Sequence, residues 1–407
     1  MRIVYFTHSL ASCWNHGNAH FLRGVLRDLI RRGHAVQVFE PQDAWSLQNL
    51  LADHGETGLA AYREAYPELA STAFGPELDL DRALCGADLV VVHEWNELSL
   101  VAAIGRARAR GGRFTLLFHD THHRAVSDPE AIRAFDLSAY DGVLAFGETL
   151  AEVYRRWGWG RRVFVWHEAA DVALFRPPAE EGLRQGLVWI GNWGDGERTA
   201  ELETFLMAPA KAAGLPLDIW GVRYPDEALA MLQRYHADYR GWLPNACAPQ
   251  VFAKRLATVH VPRRFYVNLL PGIPTIRVFE ALACGVPLVS APWSDSEGLF
   301  RPGEDFLVAR DGAEMERHLR ALAADPDLRA GLVRAGLERI RERHTCGHRA
   351  AELLSFYERL SGPPPQGEAA EGRRGVKAAE SAGANPLSRC APAPPEGEHL
   401  SFREPIG

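Results

Sequence analysis

Arg277 and Glu280 lie three residues apart in the apolar stretch Ile276 to Ala283, a spacing that predicts one face of a helix. Thr275 takes the N-cap position after Pro274, and Gly285 with Pro287 ends the helix before the strand-like Leu288-Val289-Ser290. A helix start offers unpaired N–H groups and partial positive charge, which suits a phosphate. A carboxylate less than two turns in suits a pair of ribose hydroxyls. The same two residues also read as an ordinary i,i+3 ion pair on a solvated face. A second group is His119, His122 and His123 in the run Phe118-His119-Asp120-Thr121-His122-His123, just after an apolar segment. With His93 or Glu94 these imidazoles read as metal ligands. Their spacing matches no zinc signature, however, and the adjacent His122 and His123 do not easily face one ion, so no metal is expected. Asn15-His16-Gly17-Asn18 is a polar loop in which Gly17 either lets backbone N–H groups approach a phosphate or serves a simple turn. Asp79-Leu80-Asp81 resembles a metal-binding acidic pair but reads as a helix start.

The elements that must position these residues follow an alternating pattern. Arg2 to Phe6 reads as a buried first strand, and Phe21, Leu22, Val25, Leu26, Leu29 and Ile30 recur at helical spacing. Ala35 to Phe39 is the next strand, giving a strand–helix–strand unit with a right-handed parallel crossover. Apolar runs at 88–92, 114–118, 142–146 and 163–166 continue the series, with a helix over about 101–110. After the Pro-rich, acidic segment Phe175 to Gly182 the pattern restarts: a strand at 187–190, a Gly-rich turn at 191–196, a helix at 198–213, and strands at 217–220 and 258–261. The expected fold is therefore α/β, with two Rossmann-like domains whose parallel sheets face each other across a cleft. The domains are expected at 1–175 and 176–345, with a last helix at 346–360 packing back on the body and a Pro/Gly-rich tail at 361–407 too poor in aliphatics to fold. In such sheets ligands bind at the carboxyl ends of the strands, so the cleft is the expected site.

Composition narrows the partners. The chain has 407 residues, 47% hydrophobic and 24% charged, ordinary for a globular protein. A net charge of −7 argues against nucleic acid as the main partner. Six scattered cysteines without a CxxC motif read as reduced thiols, and no run has the length of a leader or a membrane span, so a cytoplasmic protein is expected. Arg23, Arg27 and Arg31 form a stripe at four-residue spacing, read as a solvated face or, at most, a peripheral contact with anionic lipid.

The run Pro274 to Val289, followed by Gly298-Leu299-Phe300-Arg301-Pro302-Gly303-Glu304-Asp305, resembles the C-terminal half of group 1 retaining glycosyltransferases of the GT-B fold. It is most similar to the spore-maturation CgeB-like branch, as is the end segment Arg343 to Arg349. The N-terminal Gly17, Leu29 and Arg32-Gly33-His34-Ala35-Val36 pattern is similar to the first strand–loop–helix of that superfamily, so the resemblance spans about residues 1–360. It implies an enzyme that moves a hexose-type unit from a nucleoside diphosphate sugar to a glycan, lipid or small-molecule acceptor, with retention and without a cofactor or metal. Glu280 would hold the donor ribose, and the helix start at Thr275 and Arg277 would face the diphosphate. Gly191, Asn192 and Arg198 would approach the donor from the other side, although Arg198 also reads as a solvated first-turn arginine. His119 would contact the transferring sugar, and Asn15, Gly17 and Glu94 would lie on the acceptor side, where Glu94 with Trp95 binds a sugar or Trp95 simply packs. Many relatives carry a glutamate eight positions before the one matched by Glu280. Here that position is Gly272, and the backbone of Gly272 and Ile273 is expected to contact the donor instead. A nucleotide-sugar epimerase and a non-catalytic sugar-binding scaffold are the alternatives.

Overall fold

The computed structural model describes residues 1–362, positions 181 and 195 apart. The expectation of a disordered tail falls, from residue 363 onward, outside the described residues. The first half is a seven-stranded, all-parallel sheet in the order β3-β2-β1-β4-β5-β6-β7. Its strands are β1 (Arg2–Phe6), β2 (Ala35–Pro41), β3 (Thr72–Phe74), β4 (Leu89–His93), β5 (Thr115–Asp120), β6 (Gly142–Ala145) and β7 (Val163–Val165). The second half is a six-stranded parallel sheet in the order β10-β9-β8-β11-β12-β13. Its strands are β8 (Leu187–Ile190), β9 (Leu217–Trp220), β10 (Asp238–Tyr239), β11 (Ala257–His260), β12 (Leu288–Ser290) and β13 (Leu307–Val308). The central strands are buried apolar runs, as expected where helices cover both faces.

Three strands fall outside the expected series. β3, β10 and β13 are two or three residues long and at least partly exposed. The expected helix over 198–213 is broken into Thr199–Leu202, a wide turn at Glu203–Met207, and Ala208–Ala212. Pro209 lies at the break, and its missing N–H cannot close the regular ladder. Asp79 does cap a helix start, its carboxylate accepting from the N–H of Arg82 at 2.9 Å.

Of the arginine stripe on the helix Asn18–Arg31, Arg31 is exposed but Arg23 and Arg27 are not on the surface. Arg23 is 1% exposed. It donates to the carbonyls of Leu10 (2.8 Å) and Ala11 (2.9 Å), with its guanidinium over the Tyr62 ring. Arg27 is buried between Asp171 (3.1 Å) and Glu68 (2.7 Å). Neither can reach a lipid surface, because the helix turns this side inward to hold the loop after β1. The helix Cys346–Ser361 packs along that same helix: a side chain at Gly24 would meet Cys346 Sγ at 2.5 Å. Among the described residues no helix is long and apolar enough to cross a membrane.

Candidate functional site

A cavity of about 580 Å³ opens between the two sheets, within the size range of small-molecule sites. Much of its wall comes from segments just past strand ends, and residues of β8 and β11 themselves also line it. The first half contributes the loop after β1 (Cys13 to Asn18), then Trp45, Trp95, Thr121, His122, Phe146 and Glu168. The second contributes Trp189 to Asn192, Glu197 and Arg198, Trp220, Gly221 and Arg223, Trp242, Arg263, and Pro274 to Arg277 among others. A parallel sheet aims every strand's C-terminal end at one edge, so residues remote in sequence meet there.

Two helix starts meet at the wall of this cavity. Gly17 precedes the helix Asn18–Arg31 and Thr275 precedes the helix Ile276–Ala283; neither start is capped by a side chain. They lie close enough that a side chain at Gly17 would touch Ile276 at 3.9 Å. Free N–H groups and the positive ends of two helices therefore converge from opposite halves. Four arginines, Arg198, Arg223, Arg263 and Arg277, add to this field, and all four belong to the second half. Glu197 lies 2.7 Å from Arg263, and Glu280 is paired with Arg277. Arg198 lies against Trp189 and donates to the carbonyls of Asn192 (2.6 Å) and Val261 (3.2 Å), which stiffens the loop it lines. Gly191 brings strand ends together: a side chain on the facing Gly221 would come 2.1 Å from its carbonyl oxygen.

The residues singled out from the sequence separate into two sets. Asn15, Gly17, Gly191, Asn192, Arg198, Thr275 and Arg277 line the one cavity, and Asn192 donates to Asn15 across the cleft. Glu280, His119, Glu94, Gly272 and Ile273 do not line it. Glu280 lies one layer behind, bonded to Arg277 and to Asn245 Nδ2 (2.9 Å), with His20 Nδ1 3.3 Å away. Burial opposes its charge, but Arg277 and then His20 outweigh burial and hold its carboxyl below the usual range. His119 is 1% exposed between Trp166 and His93, and burial pushes its pKa down to about 3. Glu94 is buried and pinned to Arg124 at 2.7 and 3.1 Å. Gly272 and Ile273 are taken up by the seam between the halves. Gly272 has φ +95°, with Ser296 where a side chain would go, and Ile273 occupies the space beside Gly147. Their backbone serves packing because the chain must turn sharply here to reach Thr275.

Other lining residues escaped the sequence reading. Glu168, two residues past the expected strand at 163–166, is the one carboxyl lining the cavity from the first half; burial, then the nearby Glu280, push it up to about 8. Arg263 likewise sits two residues past an expected strand, so strand-end position was the available signal for both. Cys13 accepts from the N–H of Asn245 at 3.5 Å; burial alone would raise its pKa, but His20 and Arg23 bring it down to about 6. Trp45 opens the helix Trp45–His54, a short turn after β2, and also lines the cavity. Among the described residues no three His, Cys, Asp or Glu side chains cluster as metal ligands do.

The Glycosyl transferase-like family model matches residues 198–355, the part that carries the cationic wall and the helix at 276–283. No curated protein matches the chain significantly. Among solved structures, the chain is similar to sucrose-phosphate synthase from Thermosynechococcus elongatus (TM-score 0.60, 15% identity, covering 88% of this chain and 98% of that one). It is similar as well to Anabaena HepE in complex with UDP and glucose (TM-score 0.60, 12% identity, 87% and 98%). An alpha-glucosyltransferase in complex with UDP-glucose and DNA aligns with TM-score 0.62 at 14% identity, covering 88% and 99%. At these identities the likeness shows the fold, which is the two-domain α/β GT-B fold.

Proposed function

We propose that this protein is a glycosyltransferase that moves a hexose from a nucleoside diphosphate sugar, with retention, to an acceptor held on the N-terminal wall. The observation that carries the reading is the pair of uncapped helix starts, at Gly17 and Thr275, meeting over one cavity beside four arginines. That arrangement suits a diphosphate and its growing charge as the sugar leaves. Arg277 would take the phosphate oxygens, and Glu280 would orient Arg277 and, on small side-chain shifts, accept from the ribose. The solved structures above that hold UDP or UDP-glucose, and the family match over 198–355, support a nucleotide-sugar donor. Retention, the CgeB-like branch and a cytoplasmic site of action belong to the same proposal. One aligned structure contains DNA, but the net charge of −7 and an N-terminal wall without lysine or arginine favour an uncharged acceptor over a polyanion.

A binding-only scaffold is the second reading, favoured by Gly272: the position of the first family glutamate is taken into the interdomain seam, and the nearest carboxylate, Glu297, accepts from the N–H of Glu148 (2.9 Å) and faces His167 (3.0 Å) rather than lining the cavity. Thermal melting against UDP-, GDP-, ADP- and TDP-sugars, without added metal, tests both. One nucleotide class should raise Tm, since it binds only the folded state, and the rise should vanish in Glu280→Gln. A rise without any sugar transfer or donor hydrolysis would favour the scaffold, and no rise with any nucleotide would remove the donor site itself.

A further inference from the structure

We infer that the N-terminal wall is a stacking platform for an uncharged sugar ring, so that the acceptor is a neutral carbohydrate hydroxyl; this deepens the transferase reading and rests on it. Two indoles line this wall, Trp45 after β2 and Trp95 after β4, with ring centres 6.3 Å apart and planes at 76°. They form a corner, and each is backed by protein on one face. The Arg124 guanidinium lies over Trp95 at 4.0 Å, fixed by Glu94 through its carboxylate (2.7 and 3.1 Å) and its carbonyl (2.9 Å). The His8 ring lies 4.6 Å from Trp45, tilted by 32°. A flat ligand entering the corner meets π-faces already braced from behind.

The chemistry beside those faces selects the ligand. Buried polar atoms on His16 (Nε2), Asn18 (Nδ2 and Oδ1) and His122 (Nδ1) have no hydrogen-bond partner. His16 and Asn18 are 4% and 6% exposed, and all three residues line the cavity. An unsatisfied buried polar atom is costly, so these atoms call for a ligand with hydroxyls. A purely apolar ligand would leave them unpaired. A pyranose offers both parts: a face of polarised C–H bonds for the indoles and a rim of hydroxyls for the polar atoms. Charge argues the same way. Burial holds His16 and His122 neutral, Arg124 is occupied beneath Trp95, and His20 faces Glu280 at 3.3 Å, so this wall offers an anionic acceptor little to pair with. In the transfer, the acceptor hydroxyl oxygen bonds to the anomeric carbon as that carbon's bond to the diphosphate oxygen breaks. The nucleoside diphosphate leaves with that electron pair, and the hydroxyl proton passes to it.

Glu94 and Arg124 thereby become positioning residues acting through Trp95. The test uses the full chain and two independent readouts. Quenching of tryptophan fluorescence measures binding of methyl hexosides, neutral disaccharides, a uronic acid and a short oligonucleotide; calorimetry measures UDP binding. Neutral sugars should bind, and Trp45→Ala and Trp95→Ala should each weaken them by about tenfold or more while UDP affinity stays within about twofold. Trp95→Phe, which keeps an aromatic face, should recover most of the loss, and Arg124→Ala should raise the acceptor KM with little change in kcat. Methyl and octyl glycosides of equal affinity would indicate a free glycan, and octyl preference a lipid-borne one; both retain the sugar. Sugar binding without UDP binding would keep the platform and overturn the transferase. UDP binding with sugar affinity indifferent to both tryptophans, or a preference for the uronic acid or oligonucleotide, would overturn the platform and leave the transferase standing.

Discussion

The two walls of the cavity are built by the same architecture and differ in charge. Indoles line both, yet the C-terminal wall presents four arginines and the N-terminal wall presents no arginine or lysine, only imidazoles and a single carboxyl. The N-terminal half does not lack arginines near the site. Arg23 and Arg27 lie on the helix that begins at the cavity, but they face the protein interior and hold the loop after β1 and the link through Tyr62 to Glu68. The difference is therefore one of direction: cations point into the cavity from one side and into the core on the other. A ligand with an anionic part and a neutral ring would be sorted end for end by this contrast alone.

The largest expected effect breaks the cationic side. Arg277→Ala should weaken nucleoside diphosphate binding by about 10- to 100-fold, the usual worth of a charge-assisted contact. Calorimetry at fixed ionic strength measures it, and a loss below about threefold would put the diphosphate elsewhere. Next comes the carboxyl on the neutral side. Glu168 is held near pH 8 in the fold and titrates near the ordinary carboxylate value when unfolded. Between those values the folded state keeps a proton that the unfolded state has released, so stability falls as pH rises from about 4.5 to about 8. Glu168→Gln should flatten that fall, shrinking the difference in Tm between pH 5 and pH 8 by about 2 °C or more. An unchanged difference would mean that Glu168 is ionised in the fold and that the first half does contribute charge. The smallest effect concerns the link between the walls. Asn15 has φ +48° and accepts from Asn192 across the cleft, so Asn15→Gly keeps the backbone and removes only the bond. Nucleotide affinity should change by less than about threefold, as for one neutral hydrogen bond. A larger loss would make the cleft-spanning pair part of the donor site.

Much of this contrast was readable residue by residue on the C-terminal side and little of it on the N-terminal side. Arg277 and Arg198 stand in a helix start and a glycine-rich turn, local patterns that announce a phosphate without any fold. His119 and Glu94 carried equally suggestive side chains, but both point into the first half, where burial and Arg124 claim them. Strand ends were legible from apolar runs; which side of the strand end a side chain faces was not, because that depends on what packs beneath it.

The sequence by itself determined the alternation of apolar runs and amphipathic helices, hence two parallel sheets, a cleft at their strand ends and the helix start at Thr275. These depend on local periodicity and on backbone hydrogen bonding, which neighbouring residues settle. Only the tertiary structure decided that the start at Gly17 meets the start at Thr275, that Gly272 turns the interdomain seam, and that Trp45, at the start of the helix after β2, meets Trp95 at a corner. Those juxtapositions join residues from 50 to more than 250 positions apart, and they arise from how the two halves pack, which no local pattern encodes.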